Sequence, residues 1–291
     1  MSARVGAPNV GIRAAKGVVL TLCCALVVLP FVGIVSTSLS TREQIVRSGG
    51  FVIIPDEVSF AAYRALFTGG VVPRAVAVSV FITLVGTALS LVTTTLLAYG
   101  LSRPGSLAHR PVLMVVVGAL LFTPGIIPGY LTIDMLGLID SYWAVILPAV
   151  VSAFNIVILR AFFMEIPAEL VESARIDGAS DGQVFTRIVL PLSKAVLSVI
   201  GLFYAVGYWN AFFTALLYLN DTAKWPIQLV LRTYVVNQQQ LGVDQVGSGS
   251  LPPQEALQMA ILVTSILPIL LVYPFIQRHF TKGVLVGAVK G

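Results

Sequence analysis

The side chains best suited to bind a ligand are uncharged and lie inside long apolar runs of the sequence. Asn155 lies in one run, and Tyr204, Tyr208, Trp209 and Asn210 lie close together in another. Aromatic rings stack on the C–H-rich faces of sugar rings, while amide and hydroxyl groups match sugar hydroxyls. These residues therefore predict a path for an oligosaccharide. Hydrogen bonding and packing between helices is the alternative for each of them.

Other kinds of chemistry lack the residues that they need. No G-x-x-x-x-G-K-[ST] phosphate-binding loop occurs, so this chain should not bind ATP by that route, and energy must come from another subunit. His109 and His279 are far apart and have no further ligand at metal-binding spacing, so no metal site is expected. Because no Ser, Cys or His group suggests a nucleophile, we expect a non-catalytic protein without a cofactor of its own.

The composition places almost the whole chain in a membrane. Of 291 residues, 57% are hydrophobic and only 11% are charged, whereas about 25% charged is usual in soluble domains. A hydrocarbon core of about 30 Å takes about 20 helical residues, and lipid offers the backbone no other hydrogen-bond partner. The sequence predicts an all-α integral membrane protein, with a tail at 1–16 and a single transmembrane domain at 17–291. Its six predicted transmembrane helices are the charge-free runs 17–41, 75–102, 111–133, 141–159, 195–220 and 256–277.

Lysine and arginine set the predicted orientation. If the N-terminus is cytoplasmic, twelve of these residues lie in the inside segments and six lie outside. This bias favours both termini in the cytoplasm and puts the stretch 166–191 there as well. The inside basic residues are scattered over four segments, so the net charge of +5 indicates topology, and no nucleic-acid partner is expected.

The most polar stretch, 166–191, predicts two short helices joined by a turn. Pro167 suits the first turn of a helix, and Gly178 stands where the left-handed residue that ends a helix is expected. Ser180 can cap a second helix, with Gln183 completing a reciprocal capping box, and Pro191 should prevent simple continuation. Each helix has an apolar side for docking: Leu170, Val171 and Ala174 on the first, and Val184, Phe185 and Ile188 on the second.

The same stretch carries a family pattern: E-A-A, three residues, G, nine residues, then I-x-L-P. With this spacing it resembles the EAA loop of permease subunits in binding-protein-dependent ABC importers. Ser173 is the one departure, since it stands where an Ala-type residue is usual. The positions that match the loop, and to which the resemblance assigns contact with the ATPase, are Glu172, Ser173, Ala174, Gly178, Ile188, Leu190 and Pro191.

The likeness extends from about residue 60 to the end of the chain. The segments at 140–148, 201–221, 224–232 and 278–291 resemble those of carbohydrate-uptake (maltose-type) permeases, particularly the LplC-type branch. One departure is Val78, which stands where many relatives have Asn, so no role of that Asn is carried over.

The resemblance implies the MetI-like fold of an ABC importer permease that moves sugar by alternating access. The implied partners are a second, homologous permease subunit, two copies of a cytoplasmic ABC ATPase that bind ATP and Mg²⁺, an extracytoplasmic solute-binding protein, and the sugar. The chain would be a multi-pass protein in lipid, in the cytoplasmic (inner) membrane of a bacterium. Its outer loop at 221–255 would approach the binding protein.

The alternative is an ion-coupled secondary carrier or a channel that acts without an ATPase. In that case 166–191 would be an ordinary loop in which Glu172 pairs with Arg175 one helical turn away. The predicted spans contain no Asp, Glu, Lys or Arg, whereas a proton-coupled carrier usually keeps an ionisable group in the membrane. This absence favours the permease.

Overall fold

The computed structural model describes residues 10–103, 105–106, 108–122, 124–239 and 252–288. Every regular element among these residues is helical, as the sequence predicts. The helices are α1 (Val10–Ser38), α2 (Arg42–Arg47), α3 (Ala61–Thr68), α4 (Val71–Ser102), α5 (His109–Leu121), α6 (Ile126–Met135), α7 (Tyr142–Ala149), α8 (Ala153–Met164), α9 (Ala168–Ile176), α10 (Asp181–Leu192), α11 (Lys194–Trp209), α12 (Phe212–Tyr218), α13 (Ile227–Val236) and α14 (Gln254–Ala288).

Among the described residues, three helices are long and apolar enough to cross a membrane alone: Gly11–Ser38, Val71–Ser102 and Gln254–Val272. The number rises to five if each of two bent pairs is counted as one span. These pairs are α7 and α8, which meet at 44°, and α10 and α11, which meet at 80°. The predicted span 111–133 corresponds to two shorter helices, α5 and α6. The count of six spans therefore stays a prediction.

The interruption between α5 and α6 falls at a proline. The chain leaves α5 at Phe122, which is extended, and enters α6 from Gly125, whose φ is +81°. Pro124 lies between them and lacks the N–H that a continuing helix would need. Pro128 lies in the first turn of α6, where a missing N–H breaks no helical hydrogen bond.

The described residues form two compact units. The first combines the chain up to Val72 with Thr233–Thr264, and the second combines Pro73–Arg232 with the chain from Ser265 onward.

In the first unit, hydrogen bonds hold the segment 52–56 against the end of α1 and against α2. The Val52 amide donates to the Thr37 hydroxyl at 2.9 Å. The Gln44 amide group donates to the Ile54 carbonyl at 2.8 Å and accepts from the Asp56 amide at 2.9 Å. The short helix α3 follows this segment.

In the second unit, α4 packs against α11 where the two helices come very close. A Cβ atom at Gly86 would lie 2.7 Å from the Tyr208 ring, so only glycine allows this approach. Side chains from α4, α7 and α11 fill the core around the contact. The largest of those that are almost completely buried are Ile82, Ile146 and Ile200.

Candidate coupling hairpin and substrate path

The first helix of the hairpin, α9, ends in a Schellman motif. The Ala179 amide donates to the Ala174 carbonyl at 2.9 Å, and the Gly178 amide donates to the Arg175 carbonyl at 3.0 Å. Gly178 has a φ of +83°, which confirms the predicted left-handed residue. Pro167 is the residue that precedes α9, one position before the predicted first turn.

The second helix, α10, begins with the predicted capping box. The Ser180 hydroxyl accepts from the Gln183 amide at 3.4 Å, and the Gln183 side chain accepts from the Ser180 amide at 2.8 Å. These two hydrogen bonds satisfy amide groups that the first turn of a helix leaves free.

Pro191 prevents simple continuation of the helix, as the sequence predicts. The helix continues to Leu192 and then bends by 80° into α11 at Ser193. A wide, π-helical turn at Phe185–Val189 comes directly before the proline. Such a turn changes which carbonyl each amide bonds, so the helix can pass a residue that has no N–H.

The apolar faces of the hairpin pack on the helices beside it. Val171 and Val184 are buried in a cluster with Leu159 and Phe163 of α8. Leu170 is the exception to the predicted face, because 46% of it remains exposed. The other predicted docking residues, Ala174, Phe185 and Ile188, pack against the same cluster.

The polar side of the hairpin is exposed on the surface of the protein. Glu172 and Ser173 are exposed. Arg175 pairs with Asp181 at 2.8 Å, and not with Glu172 as the ordinary-loop reading supposed, so this ion pair joins α9 to α10. Glu172 forms no ion pair with another described residue and is free to contact a partner protein.

Tyr99, near the end of α4, makes contacts with the hairpin that the sequence did not predict. Its ring centroid lies 4.6 Å from that of Phe185 in α10 and 6.3 Å from that of Phe163 in α8. Its hydroxyl donates to the Asp181 carbonyl at 3.3 Å and accepts from Arg103 at 3.2 Å. The family likeness that begins at about residue 60 covers this position but assigned it no role.

The predicted path residues Tyr204 and Tyr208 are buried in contacts between helices. The Tyr208 hydroxyl donates to the Ile146 carbonyl at 3.0 Å and shares a hydrogen bond of 2.8 Å with Ser90. The Tyr204 hydroxyl lies 2.6 Å from the Thr94 hydroxyl and accepts from the Ser152 amide at 3.2 Å. In this conformation both tyrosines act in packing.

The other predicted path residues differ in their exposure. Trp209 is buried and its indole N–H donates to the Ser265 carbonyl at 2.9 Å, while Asn155 is buried in the first turn of α8. Asn210 is exposed, and it stands at the break between α11 and α12. The structure thus brings Tyr204, Tyr208 and Trp209 together on one helix as packing residues and leaves Asn210 open.

The comparison with known families decides what kind of protein carries this hairpin. Residues 81–286 match the family described as "Binding-protein-dependent transport system inner membrane component". The chain belongs to this family. The permease is 48% identical over 274 residues to the polygalacturonan/rhamnogalacturonan transport system permease protein YtcP of Bacillus subtilis (strain 168), covering 94% of this chain and 96% of that one. It is 44% identical over 268 residues to Protein LplC of the same strain, covering 92% and 90%.

A solved structure agrees with the sequence relatives. A chain of a bacterial ABC transporter involved in the import of the acidic polysaccharide alginate matches with a TM-score of 0.84 and 29% identity, covering 92% of this permease and 96% of that chain. These matches confirm the expected ABC importer permease fold. The contacts of the hairpin with an ATPase and of the path residues with sugar stay predictions.

The loops of the permease after α6 and α12 are joined by an ion pair that the sequence did not indicate. Lys224 donates to the Asp140 carboxylate at 2.6 Å. The other carboxylate oxygen accepts from the amides of Asp221 at 3.0 Å and Asn220 at 3.1 Å. The pKa of Asp140 is lowered, first by the Asp221 amide and then by Lys224. The pKa of Lys224 is raised by its hydrogen bond to Asp140.

The outer loop of the permease expected at 221–255 is described only in part. Residues 240–251, which are 12 of the 35 residues of this loop, lie outside the described residues.

Proposed function

We propose that the permease lines the path by which an oligosaccharide, delivered by a solute-binding protein, enters a bacterial cell. The observation that carries this proposal is the hairpin 166–191, which is capped at its turn and packed on α4 and α8, yet leaves Glu172 and Ser173 exposed. A capped and well-packed hairpin with exposed polar residues suits contact with another protein. Membership of the binding-protein-dependent family removes the alternative of a carrier or channel acting alone.

The energy comes from two copies of a cytoplasmic ATPase, which bind the ATP and Mg²⁺. The hairpin lies in a groove of the ATPase, so that closing of the ATPase pair moves the helices attached to it. The permease itself catalyses no reaction. Its bend at Ser193 supports this proposal, because the hairpin and the helix α11 meet there at a defined angle of 80°.

The sugar path in this proposal begins at the broken end of α11. Interrupted spanning helices are tolerated where the freed backbone is buried in protein or lines a polar cavity. Asn210, exposed at such a break, is the first candidate for hydrogen bonding to sugar hydroxyls. Asn155, Tyr204, Tyr208 and Trp209 would reach the sugar only after the helices that bury them move apart. The names of the relatives support a carbohydrate substrate.

The proposed orientation has both termini and the hairpin in the cytoplasm. Reporter fusions at residues 10, 106, 180 and 285 should report the inside, and fusions at 50, 137 and 240 the outside. A fusion at 180 that reports the outside would remove the hairpin from any cytoplasmic ATPase.

The test of the proposal uses the complete transporter, with the second permease, the ATPase and the binding protein. Glu172→Ala should weaken co-purification of the ATPase and lower ATP-dependent uptake of oligosaccharide, while the variant stays in the membrane with its permease partner. Glu169→Ala, which changes another exposed carboxylate of α9, is the matched control. If both variants carry the ATPase and transport like the wild type, the hairpin is not the coupling surface.

A further inference from the structure

An arginine lies over an aromatic ring in the second unit of the permease. The guanidinium carbon of Arg232 is 4.9 Å from the centroid of the Phe212 ring. The Arg232 side chain is exposed, and it belongs to none of the ion pairs formed among the described residues. Its positive charge therefore has an aromatic support and no carboxylate partner in the described part of the chain.

The ring that supports Arg232 lies at the break in the fifth predicted span. α11 ends at Trp209, and α12 begins at Phe212. A tight turn joins them, in which the Phe212 amide donates to the Asn210 carbonyl at 2.8 Å. One small region of the fold thus contains the exposed Asn210 amide group, the Phe212 ring and the Arg232 guanidinium.

An arginine that lies over a ring can still donate hydrogen bonds through the N–H groups of its guanidinium, which give it specificity. The Phe212 ring covers one face of the guanidinium, while the N–H groups along its edge remain free to donate. These N–H groups match the two oxygens of a carboxylate in a bidentate arrangement, which lysine cannot reproduce. Neutral sugars offer hydroxyl groups and no anion, so they cannot form the charge-assisted pair that strengthens an arginine–carboxylate contact.

We propose that Arg232 and Phe212 form a subsite for the carboxylate of a uronate unit in an acidic oligosaccharide. The subsite deepens the proposed function and rests on it, because it names the class of sugar that the path accepts. Phe212 offers its exposed surface to the C–H face of a sugar ring, and Arg232 binds the carboxylate of the same chain. The relatives named for polygalacturonan and for alginate import agree with a substrate of this charge.

The test compares trigalacturonate with its fully methyl-esterified form, which keeps the sugar rings and loses the charge. Uptake of both is measured in vesicles that contain the complete transporter and the same binding protein for every variant, so that the selectivity of the binding protein cancels between variants. We expect Arg232→Gln to lower trigalacturonate uptake about tenfold and to leave uptake of the ester unchanged. Arg232→Lys should restore only part of the loss, because it keeps the charge without the bidentate geometry.

Two further variants separate the subsite from general effects. Phe212→Leu should reduce uptake of trigalacturonate because it removes the support of the guanidinium. Arg64→Gln, which removes another exposed arginine, should change neither uptake.

Equal losses of acid and ester in Arg232→Gln would overturn the subsite and leave the sugar-import proposal standing. A wild type that imports the ester but not trigalacturonate would also overturn the subsite and leave the sugar-import proposal standing. A wild type that imports neither compound, nor any other oligosaccharide, would overturn the proposed function itself.

Discussion

The rings of Tyr99 and Phe185 lie 4.6 Å apart, one on the end of α4 and the other on the second helix of the hairpin. The Tyr99 hydroxyl adds a hydrogen bond to the backbone of Asp181, at the start of the same hairpin helix. The hairpin is therefore attached to the second predicted span as well as to the helices that precede and follow it in the chain. Movement of the hairpin should displace the end of α4 through Tyr99.

Removing this ring should weaken the coupling of hydrolysis to uptake. Aromatic pairs contribute about 0.5–1.5 kcal/mol beyond their buried area. Tyr99→Leu should therefore lower the amount of sugar imported per ATP hydrolysed, by about twofold to tenfold. Tyr99→Phe, which keeps both ring contacts, should retain most of the coupling. The measurement is uptake and hydrolysis in the same vesicles, and an unchanged ratio in Tyr99→Leu would show that Tyr99 only packs.

The left-handed turn at Gly178 should be sensitive to any side chain. A non-glycine residue in this conformation costs about 1–2 kcal/mol, although the space around Gly178 is open. That cost is too small to unfold the packed helices, but it can change the angle of the hairpin. Gly178→Val should leave the permease in the membrane and bound to its permease partner, while association with the ATPase and uptake fall.

Gly182 provides the matched control for Gly178. It also has open space around it, but it lies in a helical turn with an ordinary φ. Gly182→Val should therefore retain the ATPase better than Gly178→Val. Co-purification of the ATPase with each variant measures the difference, and normal retention and transport by Gly178→Val would refute the coupling role of the turn.

Tyr208 and Asn210 should respond differently to substitution. Tyr208→Phe removes hydrogen bonds between helices, each worth about 0.6 kcal/mol in a membrane protein, so thermal stability in detergent should fall slightly. Uptake of a short and of a longer oligosaccharide should fall by the same factor. Asn210→Ala should change the two uptakes unequally, because Asn210 is exposed at the helix break. An unequal effect of Tyr208→Phe would instead place Tyr208 on the sugar path.

The close approach of α4 and α11 should make Gly86 intolerant of even one methyl group. A Cβ atom there would lie 2.7 Å from the Tyr208 ring, so the ring or the helix must move. Overpacking of this kind costs about 1–3 kcal/mol. Gly86→Ala should lower the midpoint of thermal unfolding, whereas Gly118→Ala, where no atom lies within 4 Å, should not. Equal midpoints for both variants would contradict the contact.

The Asp140–Lys224 pair should persist over a wide range of pH. The lowered pKa of Asp140 means that its contribution to stability is present above the ordinary value of 3.8 and is lost as pH falls through the lowered pKa. The raised pKa of Lys224 means that its contribution is present below 10.5 and is lost as pH rises through the raised pKa. Neither group should titrate near neutral pH.

The amine reactivity of Lys224 tests this ion pair directly. A raised pKa leaves less free amine at pH 9, so acetylation of Lys224 should be slow. Asp140→Asn removes the negative partner, lowers the pKa of Lys224 and should speed the reaction. Mass spectrometry follows the modification, with the exposed Lys194 as an internal reference for reagent activity. An unchanged rate in Asp140→Asn would mean that the pair does not form in solution.

The amino-acid sequence was sufficient for those features that depend on neighbouring residues. The capping box of Ser180 and Gln183 and the left-handed Gly178 are confirmed, because each depends on groups within a few residues of one another. The apolar character of the helices is likewise set by composition, since lipid leaves a backbone no alternative to internal hydrogen bonding. The predicted interruption near Pro191 is confirmed too, since the helix passes the proline through a wide turn and then bends at Ser193.

Only the tertiary structure decided which distant residues meet. Ser90 and Tyr208 are 118 residues apart, Asp140 and Lys224 are 84 apart, and no periodicity in the sequence relates them. The packing of whole helices decides the roles of the buried tyrosines, the attachment of the hairpin through Tyr99 and the position of Arg232 over a ring. A polar or aromatic side chain in an apolar run has the same local pattern whether it faces a neighbouring helix or a sugar, so only its contacts distinguish the two.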